Sequence, residues 1–203
     1  MLHTLFLVFL QLNELLKMPT YSYLQLLFFI SELGLLLLKR AKKTTVKSSG
    51  DNRSLLMLWI VIGGCLSIGP YSANFHIWPV GNAQMLEFVG CGICIIGFII
   101  RWIAIAQLGK MFTVDVVIDQ QHTLKTSGLY KIVRHPSYLG IILIIAGLQV
   151  CTGSIFTFII VVVPVFIALN YRIIIEERAL VSEFGSQYED YKKRVSRLLP
   201  GIY

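Results

Sequence analysis

The chain has 203 residues, of which 56% are hydrophobic and 14% are charged, and its mean hydropathy is +0.72. This composition excludes an ordinary soluble globular domain and indicates a membrane protein, and the length corresponds to one domain. The net charge of +7 does not indicate nucleic-acid binding, because the basic residues are gathered in short segments between apolar runs.

Hydropathy predicts about five apolar helices. The first segment, 1–16, is short and weak, and it lacks the basic start and the cleavage site of a removable signal peptide. The stronger candidates are 21–38, 54–74, 83–108, 136–150 and 154–170. Only three residues separate the last two, which predicts a tight helical hairpin. Its first arm would be roughly 22 Å long, too short to cross a bilayer alone.

The charges of the connecting segments predict the orientation. Segment 39–53 carries six basic residues and one acidic residue, and 109–134 carries four basic residues. The connection near 75–83 and the hairpin turn carry no Lys or Arg. The positive-inside rule therefore places 39–53, 109–135 and the C-terminal tail in the cytoplasm. The predicted fold is an all-α integral membrane protein with about five transmembrane helices, including the C-terminal hairpin.

The tail from 176 to 203 differs from the preceding segments because it mixes charges of both signs with aromatic residues at helical spacing. This pattern predicts an amphipathic cytoplasmic helix that is broken near Gly185 and ends at Pro200. Such a helix either rests on the membrane surface or covers a cytosolic pocket. The chain thus divides into N-terminal transmembrane helices, 1–108, and a region with the candidates for chemistry, 109–203, within one structural domain.

Two cysteines, Cys91 and Cys94, have the spacing of a metal or redox pair. They lie in the middle of a predicted helix, and neither a second pair nor a polar ligand is near them in the sequence. We therefore expect them to pack as small residues between membrane helices, and we expect no metal site.

The first polar group is "YKIVRHPSYLG", at the start of the hairpin. Pro136 suits the first position of a helix, and the unpaired N–H groups of a helix start can bind an electron-rich ligand. The alternative is a membrane-interface belt, in which the aromatic and basic residues of this stretch are common.

The second polar group follows the hairpin. Arg172 and Glu176 are one helical turn apart on the same face, and Glu177 is adjacent. A charge at a membrane boundary can merely extend to water, but the hairpin is expected to bring both polar groups together, and such a cluster indicates a site. Its residue types suit a zwitterionic or cationic cofactor. Motifs of dinucleotide binding, NTP binding, zinc proteases and serine hydrolases are absent from the sequence.

Three ordered blocks, "HTLKTSGLYKIVRHPSYLG", "RIIIEE" and "EFGSQYEDYKKRVSRLLP", resemble the isoprenylcysteine carboxyl methyltransferase family. The resemblance covers about 109–200, and the five-span count is similar to that of compact prokaryotic members. It implies transfer of a methyl group from S-adenosylmethionine to the carboxylate of a prenylcysteine-like lipophilic substrate in the bilayer. It also implies an integral membrane location, in the endoplasmic reticulum of a eukaryote or the plasma membrane of a prokaryote, with the site facing the cytoplasm.

The resemblance also implies roles for individual residues. Arg172 is the expected catalytic and substrate-binding residue, since it would hold the acceptor carboxylate near the methyl group. Position 125 is a lysine here, whereas the eukaryotic members of the family tend to have an aliphatic residue at this position. The expected cofactor-binding residues are His122, Thr123, Leu124, Lys125, Tyr130, His135, Pro136, Ser137, Tyr138 and Glu176.

Other functions stay open from the sequence. Phospholipid N-methyltransferases and small-thiol S-methyltransferases have similar cofactor ends, but their acceptors must lose a proton, for which Glu177 and His135 are the candidate bases. A nicotinamide-dependent sterol reductase would need a phosphate-binding cluster that the sequence does not show. A non-catalytic lipid-binding membrane protein is the alternative from a different class.

Overall fold

The structure, a computed structural model, describes residues 19–38, 51–73, 79–112 and 123–201. Within these residues the regular structure is helical, as predicted, with two short 3₁₀ turns at Gly109–Met111 and Gly128–Lys131. The predicted segment 1–16 lies outside the described residues. The α-helices are α1 (Thr20–Leu38), α2 (Asp51–Ala73), α3 (Ala83–Leu108), α4 (Pro136–Cys151), α5 (Ile155–Phe184) and α6 (Ser186–Arg194).

Local signals explain where several helices begin. The Asn82 side chain accepts hydrogen bonds from Gln84 N (2.9 Å) and Met85 N (3.2 Å) and so caps α3. Ser154 caps α5 in the same way by accepting from Thr157 N at 3.2 Å. Pro136 occupies the first turn of α4, where the missing N–H costs no hydrogen bond.

Helix α5 is longer than the sequence analysis predicts. The apolar run was expected to end at 170, and an amphipathic helix broken near Gly185 was expected from 176. A single helix, α5, covers both stretches as far as Phe184, and the predicted break near Gly185 is confirmed. The residues of 171–184 have adequate helix propensity, and Gly185, with φ of 51°, is the first residue that suits a helix end. The final helix was predicted to stop at Pro200, whereas α6 ends at Arg194.

Among the described residues, three helices are long and apolar enough to cross a membrane, namely α1, α3 and α5. Helix α4 has 16 residues and a length of roughly 24 Å, shorter than the hydrocarbon core of a bilayer. Helix α2 holds a shorter apolar stretch, Ser54–Cys65, within its described side chains. The predicted total of five transmembrane helices therefore stays a prediction.

Helices α3 and α4 pack with their backbones in close contact. A Cβ atom on Gly90 would lie 2.5 Å from the Gly147 carbonyl oxygen, and one on Gly97 would lie 2.7 Å from Ile144 N. The predicted packing role of the cysteines is found here, because Cys94 is buried between the two helices and its Sγ donates to Ile144 O at 3.2 Å. Small residues thus set the distance between α3 and α4.

The apolar core lies between α1, α2, α3, α4 and α5. Its side chains are fully or almost fully buried, whereas large apolar side chains such as Leu26, Ile99 and Ile167 are exposed on the outer surface, as expected for contact with lipid. The core residues are Phe28, Leu58, Ile62, Cys94, Ile141, Ile144, Ile145, Leu148, Val161, Val165, Ala168 and Leu169.

Candidate active site

A cavity of about 190 Å³ lies among the C-terminal ends of α3 and α5, the N-terminal end of α4, and α6. A single water needs roughly 10–15 Å³ on the same measure, so the space suits an organic ligand. All six described α-helices contribute to its lining, together with residues of segments 111–112 and 123–135.

One wall of this cavity is apolar and comes mainly from α2. Leu55, Leu58 and Ile62 lie on one helical face and line the cavity together with Trp59. Ile141 of α4 adds to the same apolar lining. This wall suits a hydrocarbon group rather than a polar one.

A second wall is polar and begins at α4. His135 precedes α4 and makes no side-chain cap hydrogen bond, so the positive end of the helix is not capped by that side chain. Ser137 and Tyr138, in the first turn, line the cavity, and the rings of His135 and Tyr138 have their centroids 5.8 Å apart. The wall therefore combines aromatic faces with a helix N-terminus.

Arg172 lies where the two walls meet. It is 2% exposed, and its Nη1 donates to the Ser54 hydroxyl of α2 at 2.8 Å. Tyr138 interacts with both Arg172 and Glu176, so these three side chains form one polar group. A cation is therefore held beside the apolar wall.

Glu177 forms a buried cluster behind the cavity. Its Oε1 accepts from Arg134 Nε at 3.1 Å and lies 3.2 Å from His135 Nε2, and its Oε2 accepts from Arg197 Nη2 at 2.8 Å. Glu176, in contrast, approaches only to 4.0 Å from His135 Nδ1. The predicted meeting of the two polar groups is confirmed by these contacts.

The segment after α6 pairs with the loop before α4. Arg134 N donates to Ser196 O at 2.9 Å, and His135 N donates to Arg197 O at 3.1 Å. The Arg134 guanidinium also donates to the carbonyls of Lys192 and Val195. These bonds explain why the chain does not continue as a helix to Pro200, since its backbone pairs with the loop before α4 instead.

A second buried ion pair joins α1, α3 and α4. Arg101 Nε donates to Glu32 Oε1 at 2.6 Å, and Nη2 donates to Oε2 at 2.5 Å, which is the bidentate geometry of strong carboxylate pairs. Arg101 Nη1 donates to the Ser137 hydroxyl at 2.8 Å. Glu32 and Arg101 both line the cavity, and the pair fixes the first turn of α4.

Three buried tyrosines surround the polar wall. Burial raises the pKa of Tyr191 to about 12, and burial and the nearby glutamates raise the pKa values of Tyr130 and Tyr188 further. All three therefore stay protonated at neutral pH and can donate hydrogen bonds. Tyr130 donates to Ala104 O at 3.3 Å, and Tyr191 donates to Tyr130 O.

Three polar atoms at the cavity are buried without a hydrogen-bond partner among the described residues: Glu176 Oε2, Trp59 Nε1 and the Tyr188 hydroxyl. Buried polar groups are paired in the great majority of cases, so unpaired ones require an explanation. An acceptor and two N–H or O–H groups on one cavity fit a ligand that carries both donors and acceptors. A cofactor with an ammonium group and a carboxylate has that character.

The cavity gathers most of the residues that the sequence resemblance singled out. Pro136 is buried and starts α4 without lining the cavity, and His122 lies outside the described residues. The roles predicted for these residues stay predictions. Those that line the cavity are Thr123, Leu124, Lys125, Tyr130, His135, Ser137, Tyr138, Arg172 and Glu176.

Four residues that line the cavity or contact its lining were not predicted as site residues, because the sequence of the N-terminal half indicates only membrane-spanning helices: Glu32, Ser54, Trp59 and Arg101. Glu32 and Arg101 are single charges inside apolar runs, and such residues mark functional or structural polar contacts in membranes. That signal could have found both. No comparable signal indicates Ser54 or Trp59.

The fold and the cavity together define an all-helical integral membrane protein with a polar site at one end of its helices. The chain belongs to the isoprenylcysteine carboxyl methyltransferase family. A relative from Arabidopsis thaliana, protein-S-isoprenylcysteine O-methyltransferase B, is 30% identical over 188 residues, which cover 90% of this chain and 93% of the relative. The sequence model of the family matches residues 89–182.

Two further comparisons agree. The protein-S-isoprenylcysteine O-methyltransferase of Schizosaccharomyces pombe is 34% identical over 140 residues, 68% of this chain and 57% of the relative. A solved structure, that of the eukaryotic intramembrane Ras methyltransferase ICMT, matches with a TM-score of 0.62 and 26% identity over 90% of this chain and 65% of that chain. The chain thus spans less than two thirds of the length of these two proteins.

Proposed function

We propose that this protein transfers a methyl group from S-adenosylmethionine to the carboxylate of an isoprenylcysteine-like lipophilic substrate. Family membership supports methyl transfer, and the observation that carries the choice of acceptor is the position of Arg172. This buried cation lies between an apolar wall and the group that contains Tyr138 and Glu176. A molecule with a hydrocarbon tail and a carboxylate matches this arrangement, because the tail can lie on the apolar wall while the carboxylate binds Arg172.

The polar wall fits the cofactor. Glu176 has an unpaired buried oxygen that can accept from an ammonium group, and the faces of Tyr130, His135 and Tyr138 can lie against a sulfonium or an adenine. Thr123, Leu124 and Lys125 also line the cavity. When bound there, S-adenosylmethionine would supply the methyl group: the acceptor oxygen would form the new O–C bond as the S–C bond breaks, and S-adenosylhomocysteine would leave.

The chain contributes alignment and exclusion of water. A carboxylate is ionised at neutral pH and needs no general base, so Arg172 has to orient the acceptor oxygen. The buried ion pairs and the apolar wall keep water from that oxygen, which would otherwise be solvated and less reactive. No proton has to move for the bond to form.

Methylation of nitrogen or sulfur is less well supported. An amine or thiol acceptor has to lose a proton, and the candidate bases were Glu177 and His135. Glu177 accepts from Arg134 and Arg197, and its Oε1 lies 3.2 Å from His135 Nε2. Both bases therefore take part in a contact network that holds the loop before α4.

We also propose that the end of the molecule with the cavity faces the cytoplasm. Lys125, Lys131 and Arg134 lie at that end, whereas the opposite end pairs Val80 N with Gly153 O (2.9 Å) in segments without Lys or Arg. Five helices then cross the membrane, with α2 and the short α4 supported by their neighbours. The catalytic residues lie mainly in 109–203.

The test uses the full chain in nanodiscs with methyl-labelled S-adenosylmethionine and a farnesylcysteine analogue. We expect transfer, and mild base should release the label as methanol because the product is an ester. Base-stable label would indicate nitrogen or sulfur methylation and would contradict the assignment of the acceptor. Absence of transfer together with absence of S-adenosylhomocysteine binding would contradict the proposed function itself.

The division of roles is tested with two substitutions. Arg172→Ala should lower transfer on the order of 100-fold or more while the Kd for S-adenosylhomocysteine changes little. Glu176→Ala should raise that Kd on the order of 10-fold or more. Arg178→Ala, on an exposed residue of the same helix, is the matched control. If Arg172→Ala is unstable, Arg172→Lys keeps the positive charge and tests whether the planar guanidinium, with its two parallel N–H donors, is needed. Equal losses of binding in both variants would refute the division.

A further inference from the structure

Tyr188 of α6 has a hydroxyl that the protein itself leaves unused. The side chain is 1% exposed, it lines the cavity, and its hydroxyl has no hydrogen-bond partner among the described residues. The neighbouring Tyr191 differs, because its hydroxyl donates to Tyr130 O and so joins α6 to the loop before α4. Packing needs the Tyr188 ring, but within the described residues nothing in the protein needs its oxygen.

The charges around Tyr188 suit a zwitterion. The carboxylate of Glu177 is contacted by two arginines, Arg134 and Arg197, so the charges of these three side chains sum to +1. Glu176 adds one negative charge with an unpaired buried oxygen. An amino-acid group placed here would find an acceptor for its ammonium and a positive cluster for its carboxylate.

Tyr188 is available as a donor to that carboxylate. Burial and the charges of Glu177 and Glu176 raise its pKa, so the hydroxyl keeps its proton at neutral pH. A hydroxyl that is protonated, buried and unpaired is desolvated before any ligand binds, so binding does not have to remove water from it. Its hydrogen bond to a charged carboxylate would stabilise the complex more than a hydrogen bond between two neutral groups.

We propose that Tyr188 is a cofactor-binding residue that donates its hydroxyl to the carboxylate of the methionine part of S-adenosylmethionine, while Glu176 accepts from the ammonium group. The proposal rests on the proposed function and adds a residue from the C-terminal helix to the site. It assigns α6 a direct part in binding, beyond covering the cavity.

The experiment compares Tyr188→Phe with Tyr191→Phe in the full chain in nanodiscs, by calorimetry and thermal unfolding. The ligands are S-adenosylhomocysteine and its decarboxylated analogue, which keeps the amine and lacks the carboxylate. Tyr188→Phe should raise the Kd for S-adenosylhomocysteine roughly 10- to 100-fold and leave the Kd for the analogue unchanged. Without ligand, its Tm should equal or exceed that of the wild type, because an unpaired buried hydroxyl is removed.

Tyr191→Phe is the control for a structural hydroxyl. It should lower the Tm without ligand, and any change in Kd should be the same for both ligands. A twofold or smaller effect of Tyr188→Phe on S-adenosylhomocysteine would overturn the inference, as would equal losses for both ligands or a lowered Tm of the free protein. Failure of the wild type to bind S-adenosylhomocysteine would overturn the inference and the proposed cofactor together, whereas the other outcomes leave the proposed function intact.

Discussion

The buried pair Glu32–Arg101 allows a quantitative prediction for the substitution Glu32→Gln. The side chains are 9% and 6% exposed, and two charge-assisted hydrogen bonds of 2.6 and 2.5 Å join them. Glu32→Gln keeps the shape of the side chain but leaves the guanidinium without a counter-ion. Loss of one partner of a buried pair costs about 3–5 kcal/mol.

The Tm of the protein in detergent, measured by thermal unfolding, checks this value. For a chain of this length each kcal/mol shifts the Tm by about 2–4 °C, so the expected loss is roughly 6–20 °C. The double variant Glu32→Leu with Arg101→Met should recover most of that loss, because it removes both charges and fills the space with apolar atoms. Glu183→Gln, on an exposed glutamate of α5, is the control and should leave the Tm nearly unchanged.

Two results would refute this reasoning. A Tm loss of less than about 2 °C for Glu32→Gln would mean that the pair is solvated or that Arg101 readily finds another partner. A double variant no more stable than either single variant would mean that the cost is not that of an unpaired charge. The Kd for S-adenosylhomocysteine should also be measured for Glu32→Gln, because Arg101 donates to Ser137 in the first turn of α4, at the cavity.

The remaining predictions concern helix packing and the cluster behind the cavity. Gly97→Ala should lower the Tm, because the added Cβ would lie 2.7 Å from Ile144 N. Gly92→Ala is the control: its Cβ would have no atom within 4 Å, so the higher helix propensity of alanine should raise the Tm slightly. Equal effects of the two substitutions in thermal unfolding would disprove the close packing of α3 and α4. Glu177→Gln should speed amide hydrogen exchange in 128–135 and 195–198, because it removes the anion that Arg134 and Arg197 share. Unchanged exchange rates would contradict this, since the backbone hydrogen bonds alone would then hold the two segments together.

The sequence predicts the helices of this protein well because their signals are local. The apolar run of α3 begins and ends at the residues predicted, and in the structure Asn82 and Ser154 cap the helices that follow them. The apolar run was predicted to end at 170 because hydropathy falls there, but hydropathy reports lipid contact rather than helix continuity, and α5 continues to the predicted break near Gly185. A charged stretch without glycine or proline continues the helix in water equally well.

The site is predictable only where its residues are close in sequence or occur in recognised blocks. The block from 123 to 138 and the pair Arg172–Glu176 meet at one cavity, as the hairpin predicts. Ser54 and Trp59 could not be found, because their part in the site depends on how α2 lies against α5. That arrangement arises from tertiary packing. The periodicity of the α2 sequence can indicate an apolar face, but it does not indicate which other helix that face contacts.

The continuous α5 helix has a consequence for how the protein responds to its lipid surroundings. Its 30 residues extend roughly 45 Å, while the hydrocarbon core is about 30 Å thick, and Arg172 lies about 26 Å from the first residue of the helix. Since one continuous helix both crosses the bilayer and carries Arg172, Glu176 and Glu177, the depth of the proposed reaction centre depends on the length of this helix. A bilayer thinner or thicker by a few Å would therefore move the membrane surface relative to the cavity. We expect the length of the acyl chains to influence whether a proposed reactant enters the cavity from lipid or from water.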